Sequence, residues 1–358
     1  MNAQLKELLI KMEANRASDL HITAHTPMHY RIKGELVKVN ETLLNPEEVK
    51  NIVFSLMSDV QKERFHQDME LDFSFSIENV ARFRANVFLQ RGCIGCAIRF
   101  IPYTIKTIPE CGLPENVVRS FCQHSRGLIL VTGSTGSGKS TTLAAMVDEI
   151  NTTYKKHIIT VEDPIEFVHK NKSCVIEQRE VLHDTPSFYS ALRHVLRQDP
   201  DVIFIGELRD MESIQQALII ADTGHLVLAT LHTSDCIQSI NRIIDVFPSH
   251  QQPQIRTQLS FILIGILSQQ LLPRSDDKTM ALASEILVVT PPVRNMIRDE
   301  RVHQIYSTIQ TSQKVGMKTM NQSLAELYFK EEVTYDTVLS YSSDVEELIK
   351  LIGQKPTK

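Results

Sequence analysis

The sequence lacks several things that mark common protein classes. It has no basic excess: 38 Lys and Arg stand against 43 Asp and Glu, a formal net charge of −5. That disfavours a globally basic nucleic-acid binder and leaves room only for local patches. Cysteine is scarce, with six in 358 residues. This is too sparse for a disulfide framework and suits reduced thiols in a cytoplasmic protein. Cys93 and Cys96 form a C-x-x-C without a second pair, and no cysteine follows Cys236. A four-cysteine zinc ribbon is therefore not assembled, and the pair reads as two strand or bulge cysteines. Long apolar runs are also missing. Leu259 to Leu267 is the most apolar internal stretch, far short of the roughly 20 residues that span a bilayer. At the N-terminus Lys6, Glu7, Lys11 and Glu13 interrupt any secretory apolar region. Gly and Pro, 13 and 14 in number, are ordinary, which excludes collagen-like and low-complexity chains. The expectation is a soluble protein of two domains that reaches a membrane only through a partner.

What is present divides the chain. Leu5, Leu8, Leu9 and Met12 follow helical spacing. Short strand-like runs at 28–32 and 36–39, helical patterns at 46–57 and 60–65, and alternating segments at 70–77 and 82–90 make a small α+β unit, with 97–101 as a further strand. Pro102, Pro109, Gly112 and Pro114 punctuate a linker. The boundaries expected are 1–102, a linker at 103–113, and a second domain over 114–358. From Gly127 onward, apolar runs at 128–131, 158–161, 202–205 and 226–231 alternate with helical patterns at 140–150, 187–197, 211–222 and 236–246. Near-continuous apolar runs suit parallel strands buried on both faces, so this is an α/β layered domain. One strand at 281–289 then gives way to a helical tail.

Gly133-Ser134-Thr135-Gly136-Ser137-Gly138-Lys139-Ser140 fits G-x-x-x-x-G-K-[ST], with an apolar strand before it and a helix-forming run after it. Glycines let backbone N–H groups curl around phosphate oxygens, and the helix N-terminus adds its positive end. Lys139 is placed for the β/γ-phosphates and Ser140 for Mg²⁺, with Thr141 as a second hydroxyl in the first helical turn. ATP or GTP binding follows. The other strand ends sharpen the reading, because ligands bind outside the carboxyl ends of such strands. Those ends carry Glu162-Asp163, Gly206-Glu207 and His232-Thr233. Hydrolysis needs a carboxylate to orient or deprotonate water. Glu207 is the first choice. Gly206 occupies the usual place of the magnesium-directing Asp, so Glu162 is the candidate that joins Glu207 in holding the metal's water shell. His232 is placed to bond the terminal phosphate or the attacking water. His225 sits at the opposite end of its strand and ranks lower, as a structural histidine first.

The phosphate loop, Thr160-Val161-Glu162-Asp163-Pro164-Ile165-Glu166, Gly206-Glu207-Leu208-Arg209-Asp210 and Thr223 through Thr233 resemble the four boxes of type II/IV secretion ATPases. Within that superfamily the chain resembles PilT-type pilus retraction ATPases. The resemblance runs almost end to end and includes Ser18-Asp19-Leu20-His21, Arg82-Phe83-Arg84 and Arg197 through Asp201. Assembly and type II secretion motors carry an added N-terminal domain and a zinc motif that the chain does not show. Pro292 through Asp299 resembles, with conservative changes, the C-terminal helix motif of retraction motors, and Ser134 stands where the family's loop commonly has Pro.

The resemblance implies a PAS-like N-terminal domain followed by a RecA-like P-loop ATPase domain. It implies ATP and Mg²⁺ as cofactors, a homohexamer, and a cytoplasmic location at the inner-membrane pilus machine. The partners it implies are a membrane-embedded platform protein and a paralogous retraction ATPase, with no direct nucleic-acid contact. Arg82 and Arg84, two apart, share one strand face. With Arg99 they are candidate arginine fingers, in cis or in trans; the alternative is a solvated face of structural ion pairs. Val293, Met296 and Ile297 pack inward by their spacing, and Arg294 and Arg298 form the next face, for a partner or for water. The rival readings are an accessory retraction paralogue, an assembly or secretion motor, a nucleotide-binding regulator that does no work, and a nucleic-acid translocase.

Overall fold

The structure, a computed structural model, describes residues 1–32, 34–78, 80–276 and 279–353. The chain forms two compact units, Met1–Thr104 and Ile105–Lys358. The first is built on six strands: β1 (Ala17–Thr23), β2 (His29–Ile32), β3 (Glu35–Lys38), β4 (Glu70–Ile77), β5 (Ala81–Gln90) and β6 (Cys93–Pro102). They pair antiparallel in the order β3-β2-β1-β6-β5-β4. Side chains alternate across such a sheet. In β5, Ala81, Phe83, Ala85 and Val87 are buried while Arg82, Arg84 and Asn86 are half-buried on the other face. Helices Ala3–Ala14, Pro46–Phe54 and Asp59–Asp68 supply the rest of this core. The latter two start with capping boxes, Asn45 with Glu48 and Ser58 with Gln61, which satisfy otherwise orphaned first-turn N–H groups. Cys93 and Cys96 both lie in β6, and burial pushes the Cys96 thiol up to about 12, which leaves it unreactive.

The second unit carries β7 (Gly127–Thr132), β8 (His157–Glu162), β9 (Val175–Glu180), β10 (Val202–Ile205), β11 (Leu226–Leu231), β12 (Leu263–Pro273) and β13 (Met280–Val288). Their order is β13-β12-β7-β11-β10-β8-β9, with every pairing parallel except β12 with β13. The apolar strands divide their residues between two layers. Leu128 and Leu130 of β7 join one core, Ile129 and Val131 the other. Helices over 188–195, 211–222, 236–245 and 252–262 cover the first face; 115–122 and 139–153 cover the second. Three C-terminal helices, Met320–Phe329, Tyr335–Tyr341 and Val345–Gly353, close a further core over the far ends of β12 and β13. Val293 and Ile297 are fully buried and Met296 is partly so, as their spacing requires. No described helix is long and apolar enough to cross a membrane.

Two strands depart from the sequence reading. The apolar stretch 259–267 is split between a helix, Gln252–Ile262, and β12. Among the described residues β9 pairs only with β8, and after Val175 and Ile176 it is polar, so it carries no sustained apolar signature. Part of the segment read as a linker packs into the second unit, where Ile108 and Leu113 are buried beside Phe121. Gly265 explains how β12 lies so close to that layer. A Cβ there would overlap the Phe121 ring and stand 2.8 Å from Leu287 O. Gly265→Ala should therefore cost about 1–3 kcal/mol by overpacking. The check is a denaturation series in which Phe121→Leu restores part of the loss; an unchanged midpoint in Gly265→Ala would refute the argument.

Candidate active site

β7 delivers the chain to the carboxyl edge of the sheet at Gly133. Gly133, Gly136 and Gly138 have φ of 144°, 81° and 89°, a region that side chains avoid. A Cβ on Gly133 would lie 2.5 Å from both Gln269 O and Ser137 Oγ. Ser134, Thr135 and Gly136 form the exposed crown of the loop. Gly138 caps the helix Lys139–Thr153, whose first turn presents Ser140, Thr141 and Thr142. Gln269 Nε2 of β12 donates to Thr142 Oγ1 at 2.8 Å and so ties that turn to the sheet. Lys139 is buried, and its Nζ donates to Gly133 O at 2.8 Å and Ser134 O at 2.9 Å. Burial lowers its pKa, while the charges of Glu207 and Glu166 act the other way. Ser137 Oγ is buried with no hydrogen-bond partner among the described residues. An orphaned hydroxyl, a cradle closed to side chains and a helix N-terminus together fit a phosphate chain.

The parallel pairing carries three further strand ends to the same edge. β11, beside β7, leads to His232; β10, beside β11, leads to Glu207; β8, beside β10, ends at Glu162. Gly206 fits here because a Cβ would stand 3.2 Å from Glu162 Cα. The residue that takes the usual aspartate's place is thus a close packing point between β10 and β8. Glu207 has both carboxylate oxygens engaged: Oε2 lies 2.8 Å from Arg209 Nε, and Oε1 lies 3.2 Å from His232 Nε2. Asp210 then caps the helix Met211–Asp222 by accepting from Ser213 N at 2.7 Å. Arg209 is therefore held one residue ahead of a fixed helix start.

Glu162 is buried and serves as an acceptor. Thr160 Oγ1 donates to its Oε1 at 2.6 Å, Gln178 Nε2 to the same oxygen at 3.2 Å, and Glu166 N to Oε2 at 3.4 Å. Burial outweighs these bonds and pushes its pKa to about 7. The folded state thus binds this proton more tightly than an unfolded chain with the ordinary value of 4.5. The stability it contributes is full below about pH 4.5 and is lost as pH rises through about 7. Glu162→Gln should gain stability relative to the parent across that interval, by at most about 3 kcal/mol. Denaturation of nucleotide-free protein at pH 5 and pH 8 reads this directly, and a pH-independent difference between the two proteins would contradict it.

The structure does not bring every candidate together. His225 precedes β11 at the opposite edge, about 20 Å of strand away. Its Nδ1 lies 3.3 Å from both Ile220 O and Thr223 Oγ1, a local tie at a helix end. Arg84 and Arg99 are register partners across β5 and β6. Arg84 Nε lies 3.6 Å from Asp72 Oδ1, and Arg99 Nε lies 3.0 Å from Asp19 Oδ1. Arg82 shares the Arg84 face of β5. The residues that hold the carboxylates, Thr160, Gln178 and Arg209, carried no assigned role in the sequence reading. Thr160 had a usable signal, since two residues along a strand share a face. Gln178 had none without β9, whose register sets it opposite Thr160.

Strand order, phosphate loop and converging carboxylates define a RecA-like P-loop ATPase domain with C-terminal helices. Comparison places it further. The family described as type II/IV secretion system protein matches residues 1–350, and the chain belongs to it. The type IV pilus retraction ATPase PilT of Pseudomonas aeruginosa is 45% identical over 91% of this chain and 94% of its own length. PilU, a type IV pilus ATPase of the same organism, is 39% identical over 98% of this chain and 91% of its own. A crystal structure of the pilus retraction motor PilT with bound ADP superposes with a TM-score of 0.90 at 46% identity, covering 96% of this chain and 98% of that one. The Legionella pneumophila ATPase DotB superposes with a TM-score of 0.81 at 26% identity, over 95% and 96% of the two chains.

Proposed function

We propose that this chain is the ATP-hydrolysing subunit of a hexameric motor that retracts type IV pili, working on the cytoplasmic side of the inner membrane against a membrane-embedded platform protein. The observation that carries the reading is the convergence of the phosphate loop, Glu207, Glu162 and His232 on one sheet edge. Near-full-length similarity to PilT supports the pilus assignment. The first unit is read as PAS-like, with domains at 1–102 and 114–358 and a linker at 103–113.

The residues divide the work of hydrolysis. Backbone N–H groups of 133–138 and Lys139 bind the phosphate chain of ATP. Ser140 would ligate Mg²⁺, and Glu162 and Glu207 would hold water on it. Held there, the ion would supply positive charge to offset that of the phosphate chain. Glu207 takes a proton from the attacking water. The water oxygen bonds to the terminal phosphorus, and the bond to the bridging oxygen breaks with its electron pair leaving on ADP. His232, next to Glu207, bonds the terminal phosphate or that water. Arg82, Arg84 and Arg99 would act as arginine fingers on a terminal phosphate, in cis or in trans. Phosphate release by the purified protein tests the enzyme. Gene deletion followed by pilus imaging tests the role: excess pili that never retract support it, and bald cells indicate an assembly motor. The 39% identity to PilU favours a second reading, an accessory retraction ATPase. In that case pili would retract, weakly, when only this gene is removed.

A further inference from the structure

The hydrolytic carboxylate is capped in the structure. A carboxylate that is to receive a proton from water needs a free oxygen, and neither oxygen of Glu207 is free: Arg209 Nε lies 2.8 Å from Oε2 and His232 Nε2 lies 3.2 Å from Oε1. The two contacts differ in kind. Arg209 is two residues from Glu207 on the same segment, and Asp210 fixes that segment by capping the next helix. Leu208 N donates to Thr230 O of β11 at 3.0 Å and anchors it from the other side. The arginine's contact therefore follows Glu207 wherever that segment goes. His232 comes from a different strand end, half-exposed, and its contact is the longer of the two.

We propose that Arg209 is a positioning residue for Glu207. It holds Oε2 and the side-chain rotamer, so that Oε1 is the oxygen that receives the water's proton once His232 turns to the terminal phosphate or to the water itself. This rests on Glu207 being the base. The proton passes from water to Oε1, and Arg209 neither gives nor takes one. An exposed ion pair contributes little to stability, so a merely structural Arg209 would be nearly silent. As a positioning group it is not, because a misplacement of about 1 Å can cost about 10²-fold in rate.

The experiment is steady-state ATP hydrolysis by full-length protein, with affinity for ADP measured on the same samples. Arg209→Ala should lower kcat about 10- to 100-fold with KM and ADP affinity within about threefold of the parent. Arg209→Lys, which keeps the charge but not the fork, should recover part of the rate. In the Glu207→Gln background, Arg209→Ala should add almost nothing, since groups acting as one unit are strongly non-additive. Wild-type kcat in Arg209→Ala overturns the proposal, as does a full additional loss in the double variant. A loss confined to KM assigns Arg209 to nucleotide binding and overturns it too. Failure of the underlying reading looks different: Glu207→Gln alone would then hydrolyse ATP at the parent rate.

Discussion

Lys139→Ala should abolish nucleotide-dependent behaviour while leaving the fold intact. Two roles meet in this side chain. In the structure Nζ donates to Gly133 O and Ser134 O, which closes the loop on itself. In the proposed hydrolysis the same ammonium would exchange those carbonyls for phosphate oxygens. It sits buried in the first helical turn, where burial lowers its pKa and the charges of Glu207 and Glu166 act the other way. Removing a preorganised charge at such a centre costs about 10²–10³-fold in kcat, or about 2.7–4 kcal/mol. Binding should fall as well, which a thermal shift reads. A ligand at 100 times its dissociation constant stabilises a protein by about 2.7 kcal/mol, and that increment should nearly vanish in the variant. Without nucleotide the variant should lose only about 1–3 kcal/mol, since two bonds go, one of them buried, and each is worth about 0.5–1.5 kcal/mol. A variant that still hydrolyses ATP at the parent rate would remove Lys139 from the site and with it the phosphate-loop assignment.

The loop was legible because its constraints are local. Positive φ at Gly136 and Gly138, a helix start at Lys139 and an apolar strand before Gly133 all fall within one short window. The four strand ends were legible for a related reason. Runs such as Val202–Ile205 are apolar throughout, and only a strand buried on both faces needs that. Two alternating layers of core then force parallel order and a shared carboxyl edge. What stayed hidden depends on partners far away in sequence. β12 begins where helix 252–262 ends, and both halves of that stretch are apolar, so periodicity does not separate them. Its Gln269 nonetheless closes the floor of the phosphate loop, through its carbonyl at Gly133 and its amide at Thr142. β9 is polar, yet it supplies the Gln178 that holds Glu162. The arginines of β5 and β6 fall between these cases. Their shared face follows from alternation, but the partners Asp72 and Asp19 come from strands whose register only the fold reveals.

Glu207→Gln should separate binding from chemistry. The amide keeps the size of the side chain and one carbonyl acceptor, so it retains a partner for Arg209 or His232, but it takes no proton from water. General-base catalysis typically contributes about 10²–10⁴-fold, and turnover should fall by that factor. Affinity for ATP should change little, since no backbone N–H group of 133–138 is altered and Lys139 stays in place. Lys139 would in fact lose a neighbouring negative charge that now supports its protonation. Glu162 is the internal control for this assignment. It lies next to Gly206, is more deeply buried, and carries a carboxyl held up at about 7. If Glu162 were the base, Glu162→Gln would be the dead variant and Glu207→Gln would turn over normally. If Glu162 instead orders metal-bound water, Glu162→Gln should raise the magnesium concentration needed for half-maximal rate, and saturating magnesium should recover much of the turnover. Glu207→Gln should show no such recovery. The pair of variants, titrated with magnesium at fixed ATP, therefore assigns each carboxylate by a different observable.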